Sequence, residues 1–135
     1  MFGHLKQHHI GCLVESIESF KIENKDIWTA KDYSEVFTIE MQDVKVCFIY
    51  NTGGVLLELV EPGPQNRPLV KMLAKGVSYY HLAFISHSYE ESVHNFKNAG
   101  CHQLSEFLSE AFAGKRCSFF YHPQLKLIEL IEDFY

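Results

Sequence analysis

Apolar and polar residues alternate along most of this chain with the two-residue period of β-strands, and short turns separate the alternating runs. The runs are rich in Val, Ile, Phe and Tyr, which are enriched in strands. The segment 23–32 is polar and irregular and is predicted to be a loop. Strands are predicted over residues 8–14, 33–40, 44–50, 79–86, 101–109, 116–121 and 126–131, with one more around Glu58 that ends at Pro62.

Three segments between these strands have the composition and spacing of short helices. The first follows Ser16, a residue type that caps helix N-termini. The second comes after a proline-rich linker at 62–68 and stops at Gly76. The third opens with a Ser-x-x-Glu capping box at 88–91 and ends at Gly100. The middle helix is predicted to connect two halves of the chain.

The two halves repeat one plan, which is the mark of a duplicated structural unit. The segment 46–50 matches 117–121 in its pattern of apolar residues, and each segment ends in Tyr eight residues before a Glu in an apolar strand. The offset is 72 residues between His9 and His81 and 71 residues between Glu58 and Glu129. Two βαβββ units are predicted, with repeat one at about 6–62, the connector at 63–77 and repeat two at about 78–133.

These four repeated residues are the candidates for chemistry. A buried carboxylate without a partner is costly, so Glu58 and Glu129 in apolar strands indicate partners, and His9 and His81 are the ones the repeat supplies. Two imidazoles and two carboxylates form a mixed nitrogen and oxygen set that suits one divalent ion of Ni, Co, Zn, Mn or Fe. Such an ion polarises a carbonyl, and Glu58 or Glu129 would move the proton. Glu40, just before the strand at 44–50, is either a further candidate base or an exposed loop carboxylate.

The structural alternative is that each residue is a buried polar side chain whose hydrogen bonds are satisfied within the core, as is usual for a lone His or Glu in a strand. The two-fold repetition of the set favours the metal site. Glu61 and Glu132 lie three residues after the paired glutamates, so they are expected on the other strand face and in solvent. His8 has the opposite parity to His9, so it is not predicted to be a ligand.

Composition and charge exclude other classes of function. A formal net charge of −5 and the lack of a basic run argue against nucleic acid as a partner. No apolar stretch has the length of a membrane span, and no secretory signal is visible. The four cysteines show no CxxC spacing, and Cys12 and Cys47 are expected in the core. A cytoplasmic location and a single domain over residues 1–135 are expected.

Four strand segments resemble the ligand motifs of the vicinal oxygen chelate superfamily, and the resemblance covers nearly the whole chain. The set of His and Glu is similar to that of glyoxalase I (lactoylglutathione lyase), whereas the connector helix and the Gly-Lys-Arg turn resemble methylmalonyl-CoA epimerase. The resemblance implies two βαβββ repeats in a half-open mixed β-barrel, an α+β glyoxalase-like fold with one metal ion in the cleft. The segments are His8-His9-Ile10-Gly11, Leu56-Leu57-Glu58-Leu59, Tyr80-His81-Leu82-Ala83 and Leu127-Ile128-Glu129-Leu130.

Three functions follow as hypotheses. The first is a metal-dependent lyase or isomerase that transfers a proton at the carbon next to a metal-bound carbonyl or thioester. The second is a small-molecule-binding or resistance protein of the same fold, and the third is an Fe²⁺ ring-cleaving dioxygenase that uses His9, His81 and Glu129. Two positions depart from the family pattern: Leu13 replaces the Arg that helps hold glutathione, and Met41 occupies the epimerase base register, one place from Glu40. A small-molecule carbonyl or thioester partner and a homodimer are the expected associations.

Overall fold

The computed structural model describes residues 5–133, and within this range the chain forms eight β-strands and three α-helices. The chain divides into two compact units, an N-terminal unit (Ile10–Tyr80) and a C-terminal unit that contains residues 5–9 and 81–133 of the described range. The elements are β1 (Leu5–Leu13), α1 (Ile17–Glu23), β2 (Phe37–Ile39), β3 (Val44–Ile49), β4 (Leu56–Pro62), α2 (Arg67–Ala74), β5 (Tyr79–Ser86), α3 (Tyr89–Asn98), β6 (His102–Ser109), β7 (Lys115–His122) and β8 (Lys126–Glu132).

The N-terminal unit has the strand order β2-β3-β4-β1, with antiparallel pairing of β2 with β3 and of β3 with β4. Its apolar core lies between helix α1 and this sheet. The helix contributes Ile17, β3 contributes Cys47 and Ile49, and β4 contributes Leu59. Alternation of buried and exposed residues does not hold through β3 and β4, because consecutive residues are buried there, with Phe48 and Glu58 on one face and Cys47 and Leu59 on the other.

The C-terminal unit has the strand order β5-β8-β7-β6. Strand β5 runs parallel to β8, whereas β8 with β7 and β7 with β6 are antiparallel, so this sheet is mixed. The core packs helix α3 onto the sheet through Tyr89, Cys101, Phe120 and Leu130, with Phe96 beside them. All four cysteines of the chain are buried and unbridged, which confirms the prediction that Cys12 and Cys47 are core residues.

The two units use the same register at the repeated glutamates. Glu58 of β4 lies opposite Phe48 of β3, and Glu129 of β8 lies opposite Phe119 of β7. The repeat found in the sequence is therefore a repeat of strand pairing, since each Glu has an aromatic residue as its cross-strand neighbour.

The predicted strand over 33–40 is shorter in the structure, where only β2 has strand geometry and Tyr33 makes an isolated bridge with Ile49. The cause is local hydrogen bonding by Ser34. The Ser34 Oγ accepts a hydrogen bond from the Phe48 N–H at 2.8 Å and donates one to the Glu35 carbonyl at 2.7 Å. Side chains of this type offer the backbone an alternative to the regular ladder.

Helices α1 and α3 both start where the sequence predicts, with Ser16 and Ser88 as their N-cap residues, but only Ser16 makes a capping hydrogen bond. Ser16 Oγ accepts from the Ser19 N–H at 3.1 Å, as predicted for the start of α1. The capping box at 88–91 is wrong, because the Ser88 side chain makes no capping hydrogen bond. Instead, Ser86 Oγ accepts the Ser88 N–H at 3.0 Å. No helix of the described residues is long and apolar enough to span a membrane.

Glu61 is not the solvated side chain that strand parity predicts. Its Oε1 accepts from the Ile17 N–H at 2.9 Å, so this carboxylate serves the first turn of α1, whose N–H groups lack partners within the helix. Glu132, its counterpart in β8, is bound by Arg116, whose Nη2 lies 3.1 Å from Glu132 Oε2. Both carboxylates therefore hold elements together instead of facing solvent.

We expect Glu61→Ala to lower the free energy of unfolding by about 1 kcal/mol, the usual cost of losing an N-terminal cap. Glu61→Gln keeps an acceptor oxygen for the Ile17 N–H and should lose less. Urea unfolding followed by circular dichroism measures both values. Equal losses in the two variants would contradict the capping role.

Candidate metal centre

Three of the predicted ligands meet inside the C-terminal unit, one each from β1, β5 and β8. His9 is fully buried, and His81 and Glu129 are 5% and 4% exposed. The parallel pairing of β5 with β8 sets Ala83 opposite Glu129. Because His81 shares a face with Ala83, the imidazole and the carboxylate project from the same side of the sheet. The methyl side chain of Ala83 leaves room for both.

The ligand atoms of these residues form a nearly equilateral triangle. His9 Nε2 lies 3.1 Å from His81 Nε2 and 3.1 Å from Glu129 Oε1. The distance from His81 Nε2 to Glu129 Oε1 is 3.3 Å. The sequence groups these residues only through the repeat, whereas the structure places their nitrogen and oxygen atoms within 3.3 Å of one another.

These separations match those of a metal site. A divalent ion about 2.1 Å from each ligand keeps neighbouring ligand atoms about 3.0 Å apart in octahedral geometry and about 3.4 Å apart in tetrahedral geometry. The three observed distances fall within that range. The buried His and Glu side chains therefore fit a divalent ion in both donor type and spacing.

The Glu129 carboxylate has an unusual environment. Burial alone would raise the pKa of Glu129, but the contacts with His81 and His9 outweigh burial and lower this pKa. Among the described residues, no group meets hydrogen-bond geometry at Oε1, although both imidazoles lie close to it. An ionised buried oxygen needs a cation or a well-aimed donor, and a bound ion would satisfy it.

Aromatic rings surround the two histidines. The His9 ring stacks on Phe112 with centroids 5.9 Å apart and an interplanar angle of 17°. The His81 ring meets Phe119 edge-on at 5.2 Å. Packing of this kind fixes the imidazole orientations, and the apolar surroundings lower the local dielectric.

Glu58, the fourth predicted ligand, is 4% exposed on β4 of the N-terminal unit. Its carboxylate influences Cys12 in the same unit. Burial raises the pKa of the Cys12 thiol to about 11, and the charge of Glu58 adds to the rise. This thiol therefore stays protonated at neutral pH, and Glu58 is a buried carboxylate within an apolar strand, as predicted.

The remaining candidate positions of the N-terminal unit differ from one another. Glu40 is exposed at the start of a short 3-10 helix (Glu40–Gln42), and Met41 beside it is 73% exposed. Leu13, at the position of the glutathione-binding Arg, is buried and 4% exposed. An Arg at this point would need a partner for its charge inside the core.

Strand parity predicts that His8 is not a ligand, but it does not predict the contact that the structure shows between His8 and His9. His8 Nδ1 lies 2.8 Å from His9 Nδ1, and the His8 ring is partly buried. The Phe112 ring lies 5.5 Å away, edge-on to it. The only sign of this contact in the sequence is that His8 is adjacent to a candidate ligand. Strand parity gives the direction of a side chain but not the position of its ring nitrogens.

A family model described as the Glyoxalase/Bleomycin resistance protein/Dioxygenase superfamily matches residues 8–131 of the chain. No curated protein matches the chain significantly. The match covers all four predicted ligands.

Solved structures with the same fold include a hypothetical protein, BH1468, from Bacillus halodurans C-125. It is 26% identical, with 96% of this chain and 94% of that one covered, and has a TM-score of 0.77. Methylmalonyl-CoA epimerase from Mycobacterium tuberculosis is 20% identical, with 93% and 86% covered and a TM-score of 0.76.

A variant of the Streptomyces coelicolor methylmalonyl-CoA epimerase, in complex with 2-nitronate-propionyl-CoA, is 23% identical, with 95% and 94% covered and a TM-score of 0.75. These matches confirm the predicted α+β fold class.

Proposed function

The chain belongs to the glyoxalase/bleomycin resistance protein/dioxygenase superfamily, and from this premise we propose that it is a metal-dependent lyase or isomerase. Its reaction would move a proton on the carbon next to a carbonyl or thioester. The convergence of His9 Nε2, His81 Nε2 and Glu129 Oε1 within 3.3 Å carries the proposal. A buried cluster of this kind is expensive to build unless it binds something.

Glu58 is the proposed fourth ligand. It takes the same cross-strand register in β4 that Glu129 takes in β8, and its carboxylate is equally buried. With four protein ligands, an octahedral ion keeps two positions for water or substrate oxygens. The bound ion would supply the positive charge that polarises a carbonyl and makes the neighbouring C–H more acidic.

The proton itself would be handled by carboxylates of the chain. Glu129 or Glu58 would take it from carbon and return it, so the reaction needs no oxidant or reductant. The contacts with His81 and His9 lower the pKa of Glu129 and keep its carboxylate ionised, the form that binds a metal ion. Glu40 is the alternative base, and its exposure favours the two buried residues over it.

The substrate class follows from the relatives as a proposal. The Streptomyces coelicolor epimerase variant binds 2-nitronate-propionyl-CoA, which supports a thioester substrate for this chain. Met41 and Leu13 stand at two positions where the resemblance to the epimerases and to glyoxalase I implies other residues. We therefore propose a carbonyl or thioester substrate that differs from the substrates of those two enzymes. The single domain, the homodimer and the cytoplasmic location stay predictions.

Metal content tests the proposal directly. Purified tag-free protein analysed by inductively coupled plasma mass spectrometry should hold about one divalent ion per chain, as expected for one four-ligand site. His81→Ala should lose the ion, whereas His102→Ala, which replaces an exposed histidine of β6, should keep it. The hemithioacetal of methylglyoxal with glutathione and 2-methyl acyl-CoA thioesters would then be screened for turnover.

Protein that binds no divalent ion even when it is added back would overturn the enzyme proposal. Ligand binding that survives metal removal is the result expected of a non-catalytic binding or resistance protein instead. Ring cleavage by Fe²⁺ is a second candidate, because His9, His81 and Glu129 are a two-histidine, one-carboxylate set. A fourth ligand at Glu58 would occupy a coordination position that O₂ needs, so ring cleavage ranks below the lyase or isomerase proposal. Oxygen consumption with catechols would support ring cleavage.

A further inference from the structure

The ring of His8 contacts His9 on the side away from Glu129. His8 Nδ1 and His9 Nδ1 are 2.8 Å apart, while His9 Nε2 is the atom that faces His81 and Glu129. We infer that His8 is a positioning residue, which accepts a hydrogen bond from His9 and holds His9 in the tautomer that can bind a metal. The inference rests on the proposed function, in which His9 is a ligand.

Proton counting gives the reason. A neutral imidazole carries one hydrogen, on either Nδ1 or Nε2, and only the other nitrogen has a lone pair for a metal. Two ring nitrogens 2.8 Å apart share one hydrogen, so either His9 or His8 donates it. If His8 donated, His9 would carry its own hydrogen on Nε2 and could not be a ligand. Donation by His9 leaves Nε2 bare and directed at the cluster.

The surroundings of the pair agree with this arrangement. The Nδ1 atoms of the two rings are hydrogen-bonded at 2.8 Å, and His9 Nε2 lies 3.1 Å from both His81 Nε2 and Glu129 Oε1, so a bare His9 Nε2 faces the other two residues of the cluster. The Phe112 ring stacks on His9 and meets His8 edge-on. One aromatic side chain therefore fixes both imidazoles, so that the hydrogen bond between them sets the proton position.

The function of such a contact is known in general terms. A ligating histidine usually donates its other N–H to an acceptor, which fixes the ring and raises the basicity of the ligand nitrogen. Removal of that acceptor typically weakens metal binding by about 10–100-fold. In this chain the acceptor is the neighbouring residue in the same strand, β1, so the ligand and its support are positioned by a single segment.

Three substitutions separate the hydrogen bond from the packing of His8. His8→Asn keeps an acceptor oxygen at the place of Nδ1, because both atoms are two bonds from Cβ. His8→Gln moves its amide to the place of Nε2, and His8→Leu keeps bulk against Phe112 without an acceptor. His102→Leu, an exposed histidine of β6, is the control.

Two readouts decide the inference. In metal-free protein, long-range ¹⁵N–¹H NMR should show the hydrogen on His9 Nδ1, with scalar coupling across the hydrogen bond to His8 Nδ1. In Co²⁺ titrations followed by visible absorption, His8→Leu and His8→Gln should bind about 10–100-fold more weakly, and His8→Asn and the control should bind like the unsubstituted protein.

A hydrogen on His9 Nε2 in the metal-free protein, or wild-type Co²⁺ affinity in His8→Leu, would overturn the inference. Failure of the unsubstituted protein to bind Co²⁺ would instead overturn the proposed function, and the NMR result would still decide the tautomer of His9. If His8→Leu does not fold, the pair of His8→Asn and His8→Gln gives the same comparison.

Discussion

Glu129→Gln is expected to raise the dissociation constant for Co²⁺ by about a hundredfold or more. The amide oxygen carries no charge and is a weaker ligand than the carboxylate that lies 3.1 Å from His9 Nε2. A four-ligand zinc site contributes roughly 10–16 kcal/mol in total, so one ligand accounts for about 3 kcal/mol. Because Glu129 is also a proposed proton carrier, turnover should fall by about 10²–10⁴-fold, the usual contribution of general acid–base catalysis.

Glu132→Gln is the matched control for this variant. It changes the same chemical group on the same strand, but its side chain bonds Arg116 and is not part of the buried cluster of His9, His81 and Glu129. The control should keep wild-type Co²⁺ affinity, measured by visible absorption, and wild-type turnover of the substrate found by screening. Equal affinities in the two variants would show that Glu129 is a structural residue.

Phe120→Ala is expected to lower the free energy of unfolding by about 3–5 kcal/mol, the range measured for loss of a buried aromatic ring. Phe120 is fully buried in the core of the C-terminal unit and meets Phe96 edge-on with centroids 5.0 Å apart. The substitution leaves a cavity under helix α3. Since a domain of this size has a total stability of about 5–15 kcal/mol, the loss is a large fraction of it.

Urea unfolding measures this loss, and Tyr121→Ala is the control. Tyr121 is the next residue of β7 but is 42% exposed, so its removal takes less buried surface from the structure than the removal of Phe120. A surface substitution of this kind usually changes stability by about 0.5 kcal/mol or less. If both variants lost the same amount, helix α3 would contribute less to the core than its packing indicates.

Most of the fold could be predicted from the sequence, because the apolar strand patterns and the duplication of the chain can both be recognised in the order of the residues. The resemblance drawn from four strand motifs is confirmed by the family match over residues 8–131. The capping box at 88–91 and the full strand at 33–40 were wrong. In both places a nearby serine hydroxyl, of Ser86 or Ser34, forms the competing hydrogen bonds. Such local competition depends on exact backbone positions, which residue type alone does not reveal.

The candidate site divides in a similar way. The sequence by itself identified the candidate residues, His9 and His81 with Glu58 and Glu129, because they stand at matching places in the repeat and strand parity sets which side each one faces. Their roles as ligands and proton carriers stay predictions.

Only the tertiary structure decided how close the ligand atoms lie, that Glu61 supports α1, and that His8 bonds His9. The physical reason is that parity states which side of a strand a residue faces. The position of a side-chain nitrogen or oxygen depends on strand pairing across many residues and on the rings that pack against it.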